Sequence, residues 1–257
     1  MRFPNISGKL NGKAIIEPIG VIEERKKAGL HPSNPVPAGA IICYDSALWK
    51  WVSTLPDRTE CDGWLKGAYL LKQNNSQILA IKAAGFGAPT AVITLEELIA
   101  YGIKKFVNLG TAGGLQKIMN VGDIVVCEQA IRDEGTSHHY LPAEKYAHAS
   151  EILTAELCRS IEKKGIAFKK GTSWTTDAVY RETIEELHQY RDEGVLTVEM
   201  EAAAIFAVGT YRKVSVTSVF AISDLLTEAG WNQGYHSKEK LDGLKQIFEA
   251  AMEVLAE

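Results

Sequence analysis

The sequence predicts an α/β fold on a largely parallel or mixed sheet. Two observations carry this. Short apolar runs alternate with stretches of helical periodicity from Ala40 to the C-terminus, and no internal repeat, low-complexity tract or linker breaks the alternation. Residues 1–38 read as a lead-in punctuated by Pro and Gly, with His31-Pro32-Ser33-Asn34-Pro35-Val36-Pro37 as an extended loop. One domain is expected over 39–257, since 257 residues fit one large domain or two small ones and no boundary is visible.

Each element follows in order. Ala40–Tyr44 and Gln77–Ile81 are strand candidates. After Pro89, residues Ala91, Val92, Leu95, Leu98 and Ile99 recur at helical spacing, with proline near the helix start. Lys105–Leu109 is a buried-strand run ending in glycines, and Ile124–Cys127 is another strand. Glu151–Lys164 is an amphipathic helix closed by Gly165, after which Ile166–Phe168 restarts a strand. Thr183–Arg191 reads as helix. Val195, Leu196 and Val198 form a short strand that meets the apolar helix Ala202–Val208. Val214–Ala221 is a β-branched run, and Ser237–Leu255 is a terminal helix with Leu241, Leu244, Ile247 and Phe248 on one face. In such sheets ligands sit beyond the C-terminal ends of strands. Gly110, Glu201 and Asp224 each fall just past a predicted strand, so they are expected to converge on one pocket.

Composition narrows the function classes. Hydrophobic content of 46% and charged content of 23% are ordinary for a globular protein. The net charge of −4 and the lack of a basic stripe argue against a nucleic-acid polymer as partner. The densest basic cluster, Arg25-Lys26-Lys27, follows Glu23 and Glu24 and reads as a solvated helix face. Cys43, Cys61, Cys127 and Cys158 are scattered with no Cys-x-x-Cys pair, so reduced, mostly buried cysteines are expected, with no metal site and no disulfide. The adjacent His138 and His139 point apart in an extended chain and make a poor metal pair. No apolar signal segment follows Met1 and no 18 apolar residues run together, which reads as a cytoplasmic protein without a membrane partner.

Several stretches bear chemistry. In Val198-Glu199-Met200-Glu201, two carboxylates flank a methionine where strand meets helix. They serve either as helix caps favoured by the dipole or as a sugar-binding turn, one carboxylate accepting from two ribose hydroxyls while Met200 packs on the ring. Gly110-Thr111-Ala112-Gly113-Gly114 reads as a small-residue turn, either merely tight or open to the close approach of an anion or sugar. Asp224 ends a strand, as a turn cap or as an acid that keeps its proton in a dry pocket.

These stretches, with Gly85-Phe86-Gly87-Ala88-Pro89-Thr90, Val121-Gly122-Asp123-Ile124-Val125-Val126 and Arg132-Asp133-Glu134-Gly135-Thr136-Ser137, resemble the family-one nucleoside phosphorylases. That group holds uridine phosphorylases, hexameric purine nucleoside phosphorylases and related nucleosidases. The resemblance spans roughly residues 40–226, and its five motifs, each weak alone, come in the right order. It implies a single-domain, three-layer α/β fold with a mixed, largely parallel central sheet flanked by helices. It further implies cleavage of a nucleoside by inorganic phosphate as co-substrate, with no cofactor or metal, in nucleotide salvage by a homo-oligomer (dimer, trimer or hexamer).

The implied roles attach to particular residues. Glu201, with Glu199 and Met200 in the same turn, would hold the ribose, and Asp224 would protonate the departing base. Gly110, Thr111 and Arg132 would meet phosphate, with Ala112 and Gly113 lining the substrate. Val179, Tyr180 and Arg181 would face the base, with Trp174 a second stacking candidate, and His31 would reach the ribose 5′-hydroxyl of a neighbouring subunit. Asp224 favours purines, whereas Arg181 and the stretch from Arg132 to Pro142 look more like uridine phosphorylases, leaving the base open.

Two departures matter. The family's Gly-Asp-Pro-x-Arg loop is Tyr44-Asp45-Ser46-Ala47-Leu48 here, and the second family arginine is Asn108. Neutral side chains do not supply charge-assisted phosphate contacts. Lys50, Arg132 or Arg181 are the candidate substitutes. A nucleosidase using water is the rival reading, although its N-terminal glutamate has no clear match, and a non-catalytic nucleoside-binding protein is the third.

Overall fold

The computed structural model describes residues 3–6 and 8–257. The chain runs α1 (Pro18–Lys27), β1 (Gly39–Cys43), α2 (Ser46–Val52), β2 (Thr59–Glu60), β3 (Tyr69–Gln73), β4 (Ser76–Lys82), α3 (Ala88–Tyr101), β5 (Lys105–Gly114) and β6 (Ile124–Asp133). It continues through β7 (Tyr146–His148), α4 (Glu151–Lys163), β8 (Phe168–Thr176), α5 (Ile184–Asp192), β9 (Thr197–Glu199), α6 (Ala202–Arg212), β10 (Ser215–Thr227), β11 (Gly230–Gln233) and α7 (Lys238–Leu255).

Local chemistry sets the boundaries. Proline in the first turn of α3 costs no hydrogen bond, and Gly102 beyond its end takes the positive φ of 123° that a side chain would resist. Thr183 and Glu186 form a reciprocal capping box at α5, and the Ser237 hydroxyl accepts the Lys240 N–H at the head of α7. Residues 202–209 of α6 are all buried, as expected of a helix apolar all round. Its alanines and Gly209 allow close approach, since a Cβ on Gly209 would lie 2.6 Å from Val216 Cγ2.

The strands form one mixed sheet among the described residues. Two parallel ladders, β4–β1–β5–β10 and β6–β8–β9, are joined antiparallel through β10–β6 and β5–β9. Strands β5, β10, β6, β8 and β9 therefore close into a ring, while β4, β3 and β2 extend from β1 as an open wing. Helices α3 and α6 cover one face, with Leu95, Leu98, Ile205 and Phe206 packed against Ile42, Phe106 and Phe220. Helices α2, α4 and α7 cover the other, with Leu48, Leu157, Ile247 and Phe248 packed against Ile41, Val107 and Val219. The result is three layers.

Two expectations are corrected. Gly110–Gly114 is not a turn: β5 runs through it to Gly114. Asp224 does not end a strand: β10 continues to Thr227 and returns as β11. The physical reason is the ring. Its strands crowd around β5, so a Cβ on Gly113 would lie 2.7 Å from Leu226 Cδ1 and one on Gly114 2.9 Å from Leu225 Cδ2. Glycine here marks close backbone approach within a strand. The register of β10 against β5 slips between Ile222 and Asp224, making Ser223 a bulge that bends the strand and re-aims Asp224. In the lead-in, residues 18–27 form α1, which docks on α3 through the paired Arg25–Glu97 contacts at 2.8 Å.

Candidate active site

The two carboxylates of the strand–helix junction separate. Glu199 ends β9 and turns its carboxylate back under α6, where Oε2 accepts the N–H groups of Glu201 at 2.8 Å and Ala202 at 2.7 Å. Its Oε1 accepts the Thr175 and Ser173 hydroxyls. Burial pushes Glu199 up, and these four donors oppose that by favouring the anion. Glu199 is thus the helix-capping carboxylate.

Glu201 faces the other way. Its Oε1 accepts the Gly87 N–H at the head of α3, leaving Oε2 without a side-chain partner among the described residues. Burial, and then the negative charge of Glu199, push Glu201 up to about 8. A carboxylate so placed suits two hydroxyl donors that approach together. Gly113 pairs with Val198 across β5–β9, which sets the glycine strand beside this junction.

Asp224 stands across Gly113. Its Oδ2 would lie 3.2 Å from a Cβ on that glycine, so the missing side chain makes room for the carboxylate. Oδ1 accepts the Ser223 hydroxyl at 2.6 Å and Oδ2 the Trp231 indole N–H at 2.7 Å. The structure therefore gathers Gly110, Thr111, Ala112, Gly113, Glu199, Met200, Glu201 and Asp224 around the ends of β5, β9 and β10.

The other expected residues take different places. Trp174 is 1% exposed, donates to Asp133 Oδ2 and packs on Tyr190, so it is core and not a stacking face. Val179, Tyr180 and Arg181 form a single 3-10 turn leading into Glu182 at the Asp224 end of the site, with Tyr180 95% exposed. Arg132 is buried and directs its guanidinium to the Ser137 hydroxyl and the Leu141 and Pro142 carbonyls, bracing that loop. His31 packs on Tyr101, the last residue of the fourteen-residue α3. That is about 20 Å along the helix from the Gly87 amide on Glu201.

Several further residues stand at the site, some of them (Lys82, Glu182, Trp231 and Tyr235) without a role in the sequence analysis. The Tyr44 ring packs against Gly110, and its hydroxyl donates to Asn108 Oδ1 at 2.7 Å while Asn108 Nδ2 donates to Ser218. Burial, then Glu201 and Glu199, hold the Tyr44 phenol well above its usual range. Lys82 ends β4 beside Cys43 and donates to the Ser46 hydroxyl at 2.8 Å, making no ion pair among the described residues. Nearby Lys240, by contrast, is paired with Asp45 at 2.7 Å. At the Asp224 end, burial and then the charges of Asp224 and Glu186 push Glu182 up to about 7. Burial, then Asp224 and Glu182, push Tyr235 up to about 12. The readable signal for this group was the turn at Glu228-Ala229-Gly230 followed by Trp231 and Tyr235, which forecasts a hairpin folding back on Asp224.

Residues 68–256 match the family model described as the phosphorylase superfamily. A guanosine phosphorylase of Halorubrum lacusprofundi is 34% identical over 163 residues, covering 63% of this chain and 67% of the relative. A DeoD-type purine nucleoside phosphorylase of an Exiguobacterium species is 29% identical over 182 residues, 70% of this chain and 75% of the relative. The crystal structure of uridine phosphorylase from Vibrio fischeri, complexed with 6-hydroxy-1-naphthoic acid, superposes with a TM-score of 0.74 at 25% identity, covering 88% of this chain and 94% of that one. With the matching model spanning most of its length, this chain belongs to the phosphorylase superfamily.

Proposed function

We propose that the protein is a nucleoside phosphorylase, cleaving the N-glycosidic bond of a purine or pyrimidine nucleoside with phosphate to give free base and ribose 1-phosphate. The observation that carries this reading is the buried Glu201 carboxylate, held on one oxygen by the Gly87 amide and set beside a glycine strand that leads to Asp224. The relatives named guanosine, purine nucleoside and uridine phosphorylase support it. Glu201, once ionised, accepts hydrogen bonds from the ribose 2′- and 3′-hydroxyls, and Met200 packs on the sugar. The C1′–N bond breaks with its electron pair passing to the base, leaving a ribosyl cation-like transition state. With a purine, Asp224 gives a proton to N7, so the base departs neutral. A phosphate oxygen then bonds to C1′. We place the phosphate at Gly110 and Thr111, with Lys82 as the uncommitted cation on the adjoining rim of β4 and β1. His31 can serve this site only from another subunit, which favours a homo-oligomer. A place in cytoplasmic nucleotide salvage fits the acidic composition and the relatives' activities; among the described residues no helix is long and apolar enough to cross a membrane.

A second reading, hydrolysis by water, draws on three residues. Leu48 and Asn108 are neutral, and Arg132 is engaged by the 137–142 loop. Free-base release from adenosine, inosine, guanosine, methylthioadenosine and uridine, with and without phosphate, separates the two. Release that requires phosphate and yields ribose 1-phosphate is the expected outcome. Release at equal rates without phosphate means a nucleosidase, and no release from any substrate overturns both.

A further inference from the structure

The hairpin of β10 and β11 brings an aromatic donor to Asp224. In its antiparallel register Trp231 lies opposite Leu226, and Gln233 opposite Asp224. Trp231 is therefore the diagonal neighbour of Asp224 on one face, within reach of a long side chain. The Ser223 bulge sets that face: Leu226 and Asp224 both turn toward Gly113. The hairpin is tied by Thr227 Oγ1 to the Gly230 carbonyl at 2.7 Å and by the Gly234 amide to the Ser223 carbonyl at 2.8 Å. Tyr235 meets the indole edge-on at 5.8 Å. Trp231 is 54% exposed, so core packing alone does not hold it there. Its hydrogen bond to Asp224 and its contact with Tyr235 do.

We propose that Trp231 is a positioning residue for proton delivery to a purine base, acting through Asp224. The inference rests on the assignment of Asp224 as the acid. The two carboxylate oxygens are not equivalent. Oδ1 faces the buried Ser223, whereas Oδ2 faces Gly113 and Trp231. An indole N–H donates and never accepts, so it fixes Oδ2 in place and stops the carboxyl from rotating about a soft torsion. One lone pair of Oδ2 is taken by Trp231, and the other is where a proton bound for N7 would sit once a purine fills the site. As the C1′–N9 bond breaks and its electron pair enters the base, the proton moves from Oδ2 to N7 and Oδ2 becomes anionic. The indole bond, neutral at the start, becomes charge-assisted in the transition state. It strengthens where catalysis needs it.

The test compares guanosine with 7-methylguanosine, whose base already carries a substituent and positive charge at N7 and leaves without taking a proton there. Trp231→Phe keeps the ring and removes the donor. It is expected to lower kcat for phosphorolysis of guanosine roughly tenfold to a hundredfold, and to leave kcat for 7-methylguanosine within about twofold. In an Asp224→Asn background the same substitution should cost nothing further. Trp231→His, which retains a ring N–H, should recover part of the guanosine rate and stands in if the Phe variant fails to fold. Equal losses on both substrates, or no loss on either, overturn the role of Trp231 while Asp224→Asn still slows guanosine alone. If Asp224→Asn itself slows both substrates equally, the acid assignment fails first.

Discussion

Replacing Glu201 with Gln separates function from stability at one atom pair. The amide keeps an oxygen for the Gly87 N–H but loses the charge that would accept the two ribose hydroxyls. Hydrogen bonds to a charged group contribute about 1.5–3 kcal/mol against about 0.5–1.5 for neutral ones, so two weakened bonds cost on the order of 2–3 kcal/mol, or roughly 30- to 150-fold in kcat/KM. Stability moves oppositely with pH. The folded protein holds the Glu201 proton up to about 8, whereas the unfolded chain releases it near the ordinary value of 4.5. Between those limits the folded state binds more protons. Wild-type stability therefore falls as pH rises across the window, by about 1.4 kcal/mol per unit and on the order of 5 kcal/mol in all, and is level above it. The Gln variant lacks this slope. Steady-state phosphorolysis and urea unfolding at pH 5 and pH 8 read both effects. The acid limb near pH 8 in the wild-type kcat/KM profile should vanish in the variant. Near wild-type kcat/KM would refute the ribose assignment, and parallel unfolding slopes for the two proteins would refute the protonated carboxyl.

Three further outcomes are expected. Gly113→Ala forces a Cβ to within 2.7 Å of Leu226 Cδ1 and 3.2 Å of Asp224 Oδ2, so it should destabilise by about 1–3 kcal/mol and depress kcat well beyond its effect on Tm; unchanged kcat would mean that Gly113 does not seat Asp224. Lys82→Met should raise the phosphate KM roughly tenfold while sparing the nucleoside KM, and an unaltered phosphate KM would remove Lys82 from the anion site. Glu182, pushed up to about 7 by burial and by Asp224, is neutral below that pH and anionic above it, so the KM for purine nucleosides should rise as pH passes 7 and stay flat in Glu182→Gln. A KM profile of the same shape in both proteins would place that ionisation elsewhere.

The order of elements was legible because burial imposes period. Ile41 and Ile42 point into opposite cores, and Leu244, Ile247 and Phe248 recur on one face of α7. Closure of the ring was not legible. It depends on β5 pairing with β9 and β10 at once, and neither pairing leaves a mark within the five residues Gly110–Gly114 except their small size. Small size reads equally as a turn. The same limit hid Trp231, whose link to Asp224 comes from the register of a hairpin and the phase of one bulged residue. Spacing of seven along the chain has no such meaning by itself.

The Val-Glu-Met-Glu junction fills its helix-capping reading with one carboxylate and leaves the other for the proposed ribose contact. A helix N-terminus buried beneath a sheet needs its first amides capped, and Glu199 does this with Oε2 on the Glu201 and Ala202 N–H groups. Because that end is capped from within, Glu201 is free to turn outward. Its negative neighbour and its burial then discourage ionisation until a ligand brings hydroxyl donors. If Glu201 holds the ribose as proposed, binding of the sugar and loss of the proton are linked: a nucleoside that supplies both hydroxyls should release a proton on binding below pH 8, whereas one lacking the 2′-hydroxyl should release less and bind more weakly. Calorimetry in buffers of different ionisation enthalpy measures that proton directly. Equal proton release by ribo- and 2′-deoxyribonucleosides would break the link between Glu201 and the sugar, whatever the kinetics of the Gln variant.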